Sequence, residues 1–89
     1  MLKPFYSKRF DRDLKRMLKR GKAAEKIKDV IRKLIDEEKL DQRYKDHPLR
    51  GDYKGSRDCH VETDWILIYR IHGNQIQFLR TGSHSDLFR

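Results

Sequence analysis

Only one cysteine occurs among the 89 residues of the chain, so the fold cannot contain an internal disulfide. Small secreted domains usually depend on several disulfides, and a single cysteine is more typical of a reducing compartment. Long apolar runs are also lacking, both in residues 1–10, where a signal peptide would lie, and further along the chain. We therefore expect a cytoplasmic protein that makes no contact with a membrane.

Apolar residues are scarce, at 36% of the chain against 40% charged residues. A chain of this length buries only about 60–65% of its unfolded surface, so one small core is all it can form. The apolar residues nevertheless recur with regular spacing, which is typical of a folded protein. We expect a single domain that spans residues 1–89.

The positive charge is concentrated in the first half of the chain. Residues 1–40 contain 14 Lys and Arg against 7 Asp and Glu, whereas residues 41–89 contain 8 against 7. A net charge of +8 in so small a domain favours a polyanionic partner such as RNA. The residues that we expect to bind nucleic acid lie opposite the apolar face of the first predicted helix and are Lys8, Arg12, Lys15, Arg16 and Lys19.

The periodicity predicts an α+β fold with the element order β-α-α-β-β-β. We expect a small, mostly antiparallel sheet packed by an N-terminal helical hairpin. The predicted elements are an edge strand around residues 5–6, helices over 7–21 and 22–39, strands over 54–62, 65–71 and 75–81, and a tail or single helical turn over 82–88. Residues 40–52 are expected to be irregular. The strand over 65–71 is apolar on both faces, which places it at the centre of the sheet.

Three of the four histidines stand in short polar clusters of the predicted β region. These clusters are Tyr44-Lys45-Asp46-His47-Pro48, Arg57-Asp58-Cys59-His60 and Arg80-Thr81-Gly82-Ser83-His84. Imidazole both gives and takes a proton near neutral pH. The fourth histidine, His72, precedes the Gly73-Asn74 turn signal and is expected to be a surface residue.

Cleavage of RNA by its own 2′-hydroxyl needs a base, an acid and a cation that meets the charge on the phosphate. Histidines suit the first two roles, and Arg80 suits the third because a guanidinium binds phosphate through two hydrogen bonds. Strand geometry places Asp58 and His60 on one face, about 7 Å apart. A carboxylate such as Asp58 or Asp64 fixes the tautomer of a neighbouring histidine.

Other roles remain open for the same residues. Each one, taken singly, also fits a structural role such as capping or turn formation. Histidine and aspartate are common zinc ligands, but no close pair of histidines or cysteines has the spacing typical of a metal site, so we expect no metal and no cofactor.

Three segments of this sequence resemble the YafQ-type toxins of the RelE/ParE superfamily of bacterial toxin–antitoxin modules. They are YKDHPL at residues 44–49, RDCHVETDWILIY at 57–69 and RTGSHSDLF at 80–88. Over residues 1–43 the resemblance rests on the β-α-α layout and the basic character alone. Arg89 departs from the pattern, since it follows the usual terminal Phe.

The resemblance implies a RelE-like fold and an mRNA endoribonuclease that works in the ribosomal A site and is inhibited by a cognate antitoxin. By position, His47, His60, Asp64 and His84 match the catalytic residues of the family. Asp58 and Phe88 match supporting residues, and Arg80 matches a strand arginine found more widely in the superfamily. The alternative is a binding module, either a basic nucleic-acid-binding domain or a poison that acts without cleavage, as the ParE relatives do. Such a poison does not need the histidines and aspartates.

Overall fold

The computed structural model describes residues 1–88, and Arg89 lies outside the described residues. The elements in chain order are β1 (Lys3–Tyr6), α1 (Lys8–Lys19), α2 (Ala24–Ile35), β2 (His47–Pro48), β3 (Arg57–Glu62), β4 (Trp65–His72), β5 (Gln75–Gly82) and α3 (His84–Phe88). Two 3-10 turns, Gln42–Tyr44 and Gly51–Tyr53, flank β2. No helix in residues 1–88 is long and apolar enough to cross a membrane.

The strands form one five-stranded sheet in the order β1-β5-β4-β3-β2. β1 pairs with β5 in parallel, and the other pairs are antiparallel. β4 is the central strand, as its apolar character on both faces predicts, because a strand covered on both sides has no polar face. The predicted α+β fold with a mostly antiparallel sheet is confirmed.

Helices α1 and α2 cover one face of this sheet. Ser7 begins α1, and its side-chain oxygen accepts a hydrogen bond of 2.9 Å from the backbone N–H of Phe10. Phe10 and Met17 on α1 and Ile27 on α2 are buried against the sheet in one large apolar cluster. Leu18, predicted on the apolar face of α1, is 39% exposed and lines an open groove of about 740 Å³ between the two helices.

Two boundaries differ markedly from the sequence prediction, and one short strand was not predicted. α2 ends at Ile35 rather than near residue 39, because Glu37 has a positive φ of 58° and the helix cannot continue through it. The strand expected from residue 54 begins at Arg57, since Gly55 turns the chain with a φ of 90°. The segment expected to be irregular contains the two-residue strand β2.

Candidate active site

The face of the sheet opposite α1 and α2, here called the open face, carries the predicted site residues. Asp58 on β3 pairs with Ile68 on β4, and Ile68 pairs with Arg80 on β5. In the next row His60 pairs with Ile66. Directly paired residues lie on the same face of a sheet, so these side chains share one surface.

A small apolar cluster forms the floor of the open face. Ile66 and Ile68 are fully buried and pack with Leu87 of α3. Leu49 and Tyr53, from the segment between β2 and β3, pack against the same cluster. The polar residues therefore surround an apolar floor, and among them Asp58 is buried whereas His47, Asp64 and His84 are exposed.

The strand β2 places His47 against Asp58. The two residues are paired in the sheet, and Nδ1 of His47 lies 3.1 Å from Oδ1 of Asp58. The same nitrogen lies 2.7 Å from the carbonyl oxygen of Lys45. Because both neighbours are acceptors, Nδ1 carries a proton, and the neutral ring keeps its lone pair on Nε2.

Asp58 is a buried carboxylate, with only 2% of the residue exposed. Burial raises its pKa, and the imidazoles of His47, His60 and His84 oppose that rise. Within residues 1–88 its Oδ1 has no hydrogen bond of good geometry. The site thus contains one carboxylate that favours its protonated form more than a surface aspartate does.

His84 is held by Asp64, a residue of the turn between β3 and β4. Oδ1 of Asp64 accepts a 2.9 Å hydrogen bond from the backbone N–H of His84 and lies 2.6 Å from its Nδ1. These two hydrogen bonds hold the pKa of Asp64 below its usual value. The ionised carboxylate keeps the proton on Nδ1, so His84, like His47, presents Nε2.

The short helix α3 fixes the backbone of His84. Ser83 and Asp86 cap it reciprocally: the Ser83 N–H donates to Oδ2 of Asp86 at 2.9 Å, and the Asp86 N–H donates to Oγ of Ser83 at 3.2 Å. Arg20, after α1, donates to Oδ2 of Asp86 at 2.7 Å. This guanidinium and the Ser83 N–H keep the pKa of Asp86 well below its usual range. This ion pair was not identified from the sequence.

His60 and two aromatic residues complete the site. The ring centroids of His60 and His84 are 5.4 Å apart, and the ring of Phe88 lies 6.2 Å from that of His84. Tyr53 meets Phe88 edge to face at 6.0 Å. Tyr53 was not identified from the sequence, although an aromatic residue beside the His47 motif and near Gly51 is a usable signal for a loop contact.

Arg80 reaches from β5 to helix α1. Its Nε donates to Oδ2 of Asp13 at 2.7 Å, and its Nη2 donates to Oδ1 at 3.2 Å. These hydrogen bonds hold the pKa of Arg80 above its usual value. Asp13, like Tyr53, was not identified from the sequence. Its spacing from Phe10 and Met17 places it on their buried side of the helix, which was a readable signal.

Six of the seven residues expected to be catalytic or supporting lie together, and they are His47, Asp58, His60, Asp64, His84 and Phe88. The seventh, Arg80, lies two strands from Asp58, and its guanidinium contacts Asp13 of α1. His72 pairs with Gln75 beside the hairpin turn and is exposed. The five basic residues of α1 expected to bind nucleic acid are all exposed. Two of them, Arg12 and Arg16, line a cleft of about 380 Å³ together with Arg9, Asp13 and Arg80. No group of three His, Cys, Asp or Glu side chains within residues 1–88 has the arrangement of a metal site.

Comparison with known proteins decides the family. Residues 2–89 match the family described as "Bacterial toxin of type II toxin-antitoxin system, YafQ". The chain belongs to the YafQ toxin family. The "mRNA interferase toxin YafQ" of Escherichia coli K12 is 46% identical over 84 residues, which cover 93% of this chain and 91% of that protein. The membership confirms the resemblance and, with it, the expected class of enzyme, an mRNA interferase toxin of a type II system.

Solved structures of bacterial toxins share the whole fold. The chain matches a crystal structure of the E. coli DinJ–YafQ complex with a TM-score of 0.93 and 43% identity, and the match covers all of both chains. It also matches a crystal structure of a metal-bound toxin from Helicobacter pylori with a TM-score of 0.92 and 42% identity, over 99% of this chain and 100% of that one.

Proposed function

We propose that this chain cleaves mRNA without a metal ion, by attack of a ribose 2′-oxygen on the neighbouring phosphorus. The observation that carries the proposal is the paired arrangement of His47 and His84. Nδ1 of His84 lies 2.6 Å from Oδ1 of Asp64, and Nδ1 of His47 lies 2.7 Å from the carbonyl oxygen of Lys45 and 3.1 Å from Oδ1 of Asp58, so each ring keeps Nε2 as its free nitrogen. Two imidazoles with fixed tautomers supply the base and the acid that this reaction needs.

In this reaction the base takes the 2′ proton, the 2′-oxygen bonds to phosphorus, and the bond from phosphorus to the 5′-oxygen breaks. The acid gives its proton to the departing 5′-oxygen. Arg80 stabilises the additional negative charge on the phosphoryl oxygens. His60 supplies a third imidazole beside His84, and Phe88 offers a ring on which an RNA base can stack.

Asp58 and Asp64 act on the histidines in this mechanism. Asp64 holds His84 through its ring and its backbone, and Asp58 lies under His47 and close to His60. The exposed basic residues of α1 bind the phosphates of mRNA or ribosomal RNA. We place the catalytic domain at residues 1–89.

The partners that we propose are mRNA in the ribosomal A site and a cognate antitoxin protein. The solved DinJ–YafQ complex of a relative 43% identical in sequence supports the antitoxin. Such a toxin acts in the cytoplasm, where translating ribosomes are found. To test for the antitoxin, we expect the product of a neighbouring gene to co-purify with the chain. Cleavage should be lost in that complex.

The decisive experiment maps the ends of the cleaved RNA. Purified protein is added to translating ribosomes with a chelator that removes transition metals and leaves Mg²⁺ in solution. We expect cleavage to continue and to leave a 2′,3′-cyclic or 3′-phosphate on one product and a 5′-hydroxyl on the other.

The metal-bound relative makes this test necessary. Loss of cleavage in the chelator, with recovery on addition of Zn²⁺ or Cu²⁺, contradicts the metal-free mechanism. If translation is inhibited while the mRNA stays intact, the result instead favours the alternative of a poison that acts without cleavage. The same mRNA incubated without ribosomes measures how far cleavage depends on them.

A further inference from the structure

Asp13 is an ionisable residue that the proposed mechanism does not use, and it lies at the junction of α1 and β5. It is 4% exposed. Besides the two hydrogen bonds from Arg80, it accepts one of 2.7 Å from Nη2 of Arg16 and one of 3.2 Å from the backbone N–H of Thr81. A buried carboxylate with four such donors is held in a single orientation.

The contact with Arg80 is made by one particular edge of the guanidinium. Asp13 occupies the edge formed by Nε and Nη2. The opposite end, formed by Nη1 and the second N–H of Nη2, is directed away from Asp13 and is the fork that binds two phosphate oxygens. The side chain of Arg80 is 13% exposed, so burial and pairing leave only a small part of it accessible.

The backbone reinforces this arrangement. Thr81, which donates to Asp13, directly follows Arg80, so one carboxylate fixes both the backbone of β5 and the plane of the guanidinium. Arg80 pairs across the sheet with Ile68, which pairs with Asp58. The strand order places Arg80 two strands from Asp58 and three from His47, so at about 4.8 Å per strand its backbone lies about 10 Å from that of Asp58.

We propose that Asp13 is a positioning residue that holds the Arg80 guanidinium with its free fork toward the scissile phosphate. The inference rests on the proposed function, because it assigns a cause to the orientation of Arg80 in that reaction. Asp13 itself does not touch the RNA. Its removal leaves Arg80 charged but free to rotate, so the phosphoryl charge is stabilised only part of the time.

The first experiment compares Asp13→Asn with Asp36→Asn, a matched change at an exposed aspartate after α2. We expect Asp13→Asn to lower the kcat of RNA cleavage about 10-fold with KM changed less than twofold, and Asp36→Asn to match the wild type. A variant that keeps the buried charge, Asp13→Glu, displaces the carboxylate by one methylene. It should retain the wild-type melting temperature and lose kcat about threefold or more. Normal kcat in both Asp13 variants overturns the proposal.

A double-mutant cycle tests whether Asp13 acts through Arg80. Arg80→Ala alone should lower kcat about 10²-fold. In that background Asp13→Asn should cost nothing further, since the residue it positions is gone. A further 10-fold loss would show that Asp13 acts independently of Arg80, which overturns the proposal.

A measurement without RNA separates this inference from the proposed function. Nuclear magnetic resonance follows hydrogen exchange at the Nε–H of Arg80. We expect slow exchange in the wild type and in Asp36→Asn, and faster exchange in Asp13→Asn. Equal exchange in all three shows that Asp13 does not hold Arg80. If the wild type fails to cleave RNA, the proposed function fails, while this measurement still decides whether Asp13 holds the side chain.

Discussion

The two faces of the sheet differ in what they bury. On the face under α1 and α2, Trp65, Tyr69 and Phe78 are almost fully buried in one large apolar cluster. On the open face Ile66 and Ile68 are fully buried beside the carboxylate of Asp58, and exposed ionisable side chains surround them. Neighbouring residues of one strand therefore serve different purposes, because successive side chains point to opposite faces. Residues that stabilise the fold and residues of the proposed site therefore alternate along the same strands.

The largest effect is expected on the helix-covered face. Trp65→Ala removes a fully buried side chain whose Nε1 donates to Oγ1 of Thr81 at 2.9 Å. Such truncations cost about 3–5 kcal/mol, a large part of the stability of a small domain. Chemical denaturation followed by circular dichroism measures the loss. A stability within 1 kcal/mol of the wild type would show that this face is not the main source of stability.

On the open face the largest effect should fall on activity. We expect His84→Ala to lower cleavage by about 10²-fold or more, the usual range for losing a general acid or base. Its unfolding free energy should change little, because the ring is more than half exposed. His72→Ala is the control, since that histidine is exposed at the end of β4, beside the hairpin turn. If the two variants cleave RNA equally well, the histidines have no catalytic role, and the alternative of a poison that acts without cleavage is favoured.

Asp58 should show opposite effects on stability and activity. Burial raises its pKa in the folded chain, so folding weakens as pH rises from about 4, the unfolded value, through the higher folded value. Asp58→Asn has no such charge, so it should be more stable than the wild type at pH 7.

The activity of Asp58→Asn should fall about 10-fold, because an amide lacks the charge that stabilises protonated imidazoles nearby. Denaturation at pH 4 and pH 7 measures the stability difference, which should be larger at pH 7. A difference that is the same at both pH values would show that burial does not control the ionisation of Asp58.

The smallest effect is expected on the exposed side of α1. Replacement of Lys8, Lys15 and Lys19 by Gln should weaken RNA or ribosome binding about threefold at physiological salt and flatten its salt dependence. Arg16 is kept because it contacts Asp13. The melting temperature should stay unchanged. Binding that is unchanged at several salt concentrations would leave these lysines as a solvated surface.

The sequence was sufficient for those parts of the fold that depend on local pattern. The helical spacing of Phe10, Leu14 and Met17 and the apolar run from Trp65 predicted α1 and the central strand. β2 was missed because two residues, one of them Pro48, are too short to show a period of two. The end of α2 was missed because a non-glycine residue, Glu37, adopts a left-handed conformation there.

Within the site, the motifs identified the histidines and aspartates but not what holds them. The contacts of Asp13 with Arg80 and of Arg20 with Asp86 join residues 67 and 66 positions apart. No local pattern encodes a pair at that separation, since it forms only when α1 packs against β5. Tyr53 was missed for the same reason, because its neighbour Phe88 lies on another element.

The parallel pairing of β1 with β5 has a consequence for synthesis of the chain. β1 lies at residues 3–6 and its partner at residues 75–78. The Oγ hydroxyl of Ser7 donates a hydrogen bond to the carbonyl oxygen of Leu79. Chains emerge from the ribosome from the N-terminus onward, so β1 waits unpaired until β5 has left the exit tunnel. Arg80 belongs to β5 and His84 lies two residues after it, so both emerge together with that strand. A nascent chain therefore lacks a complete sheet and the proposed active site for the same period. It acquires the two together when β5 docks beside β1.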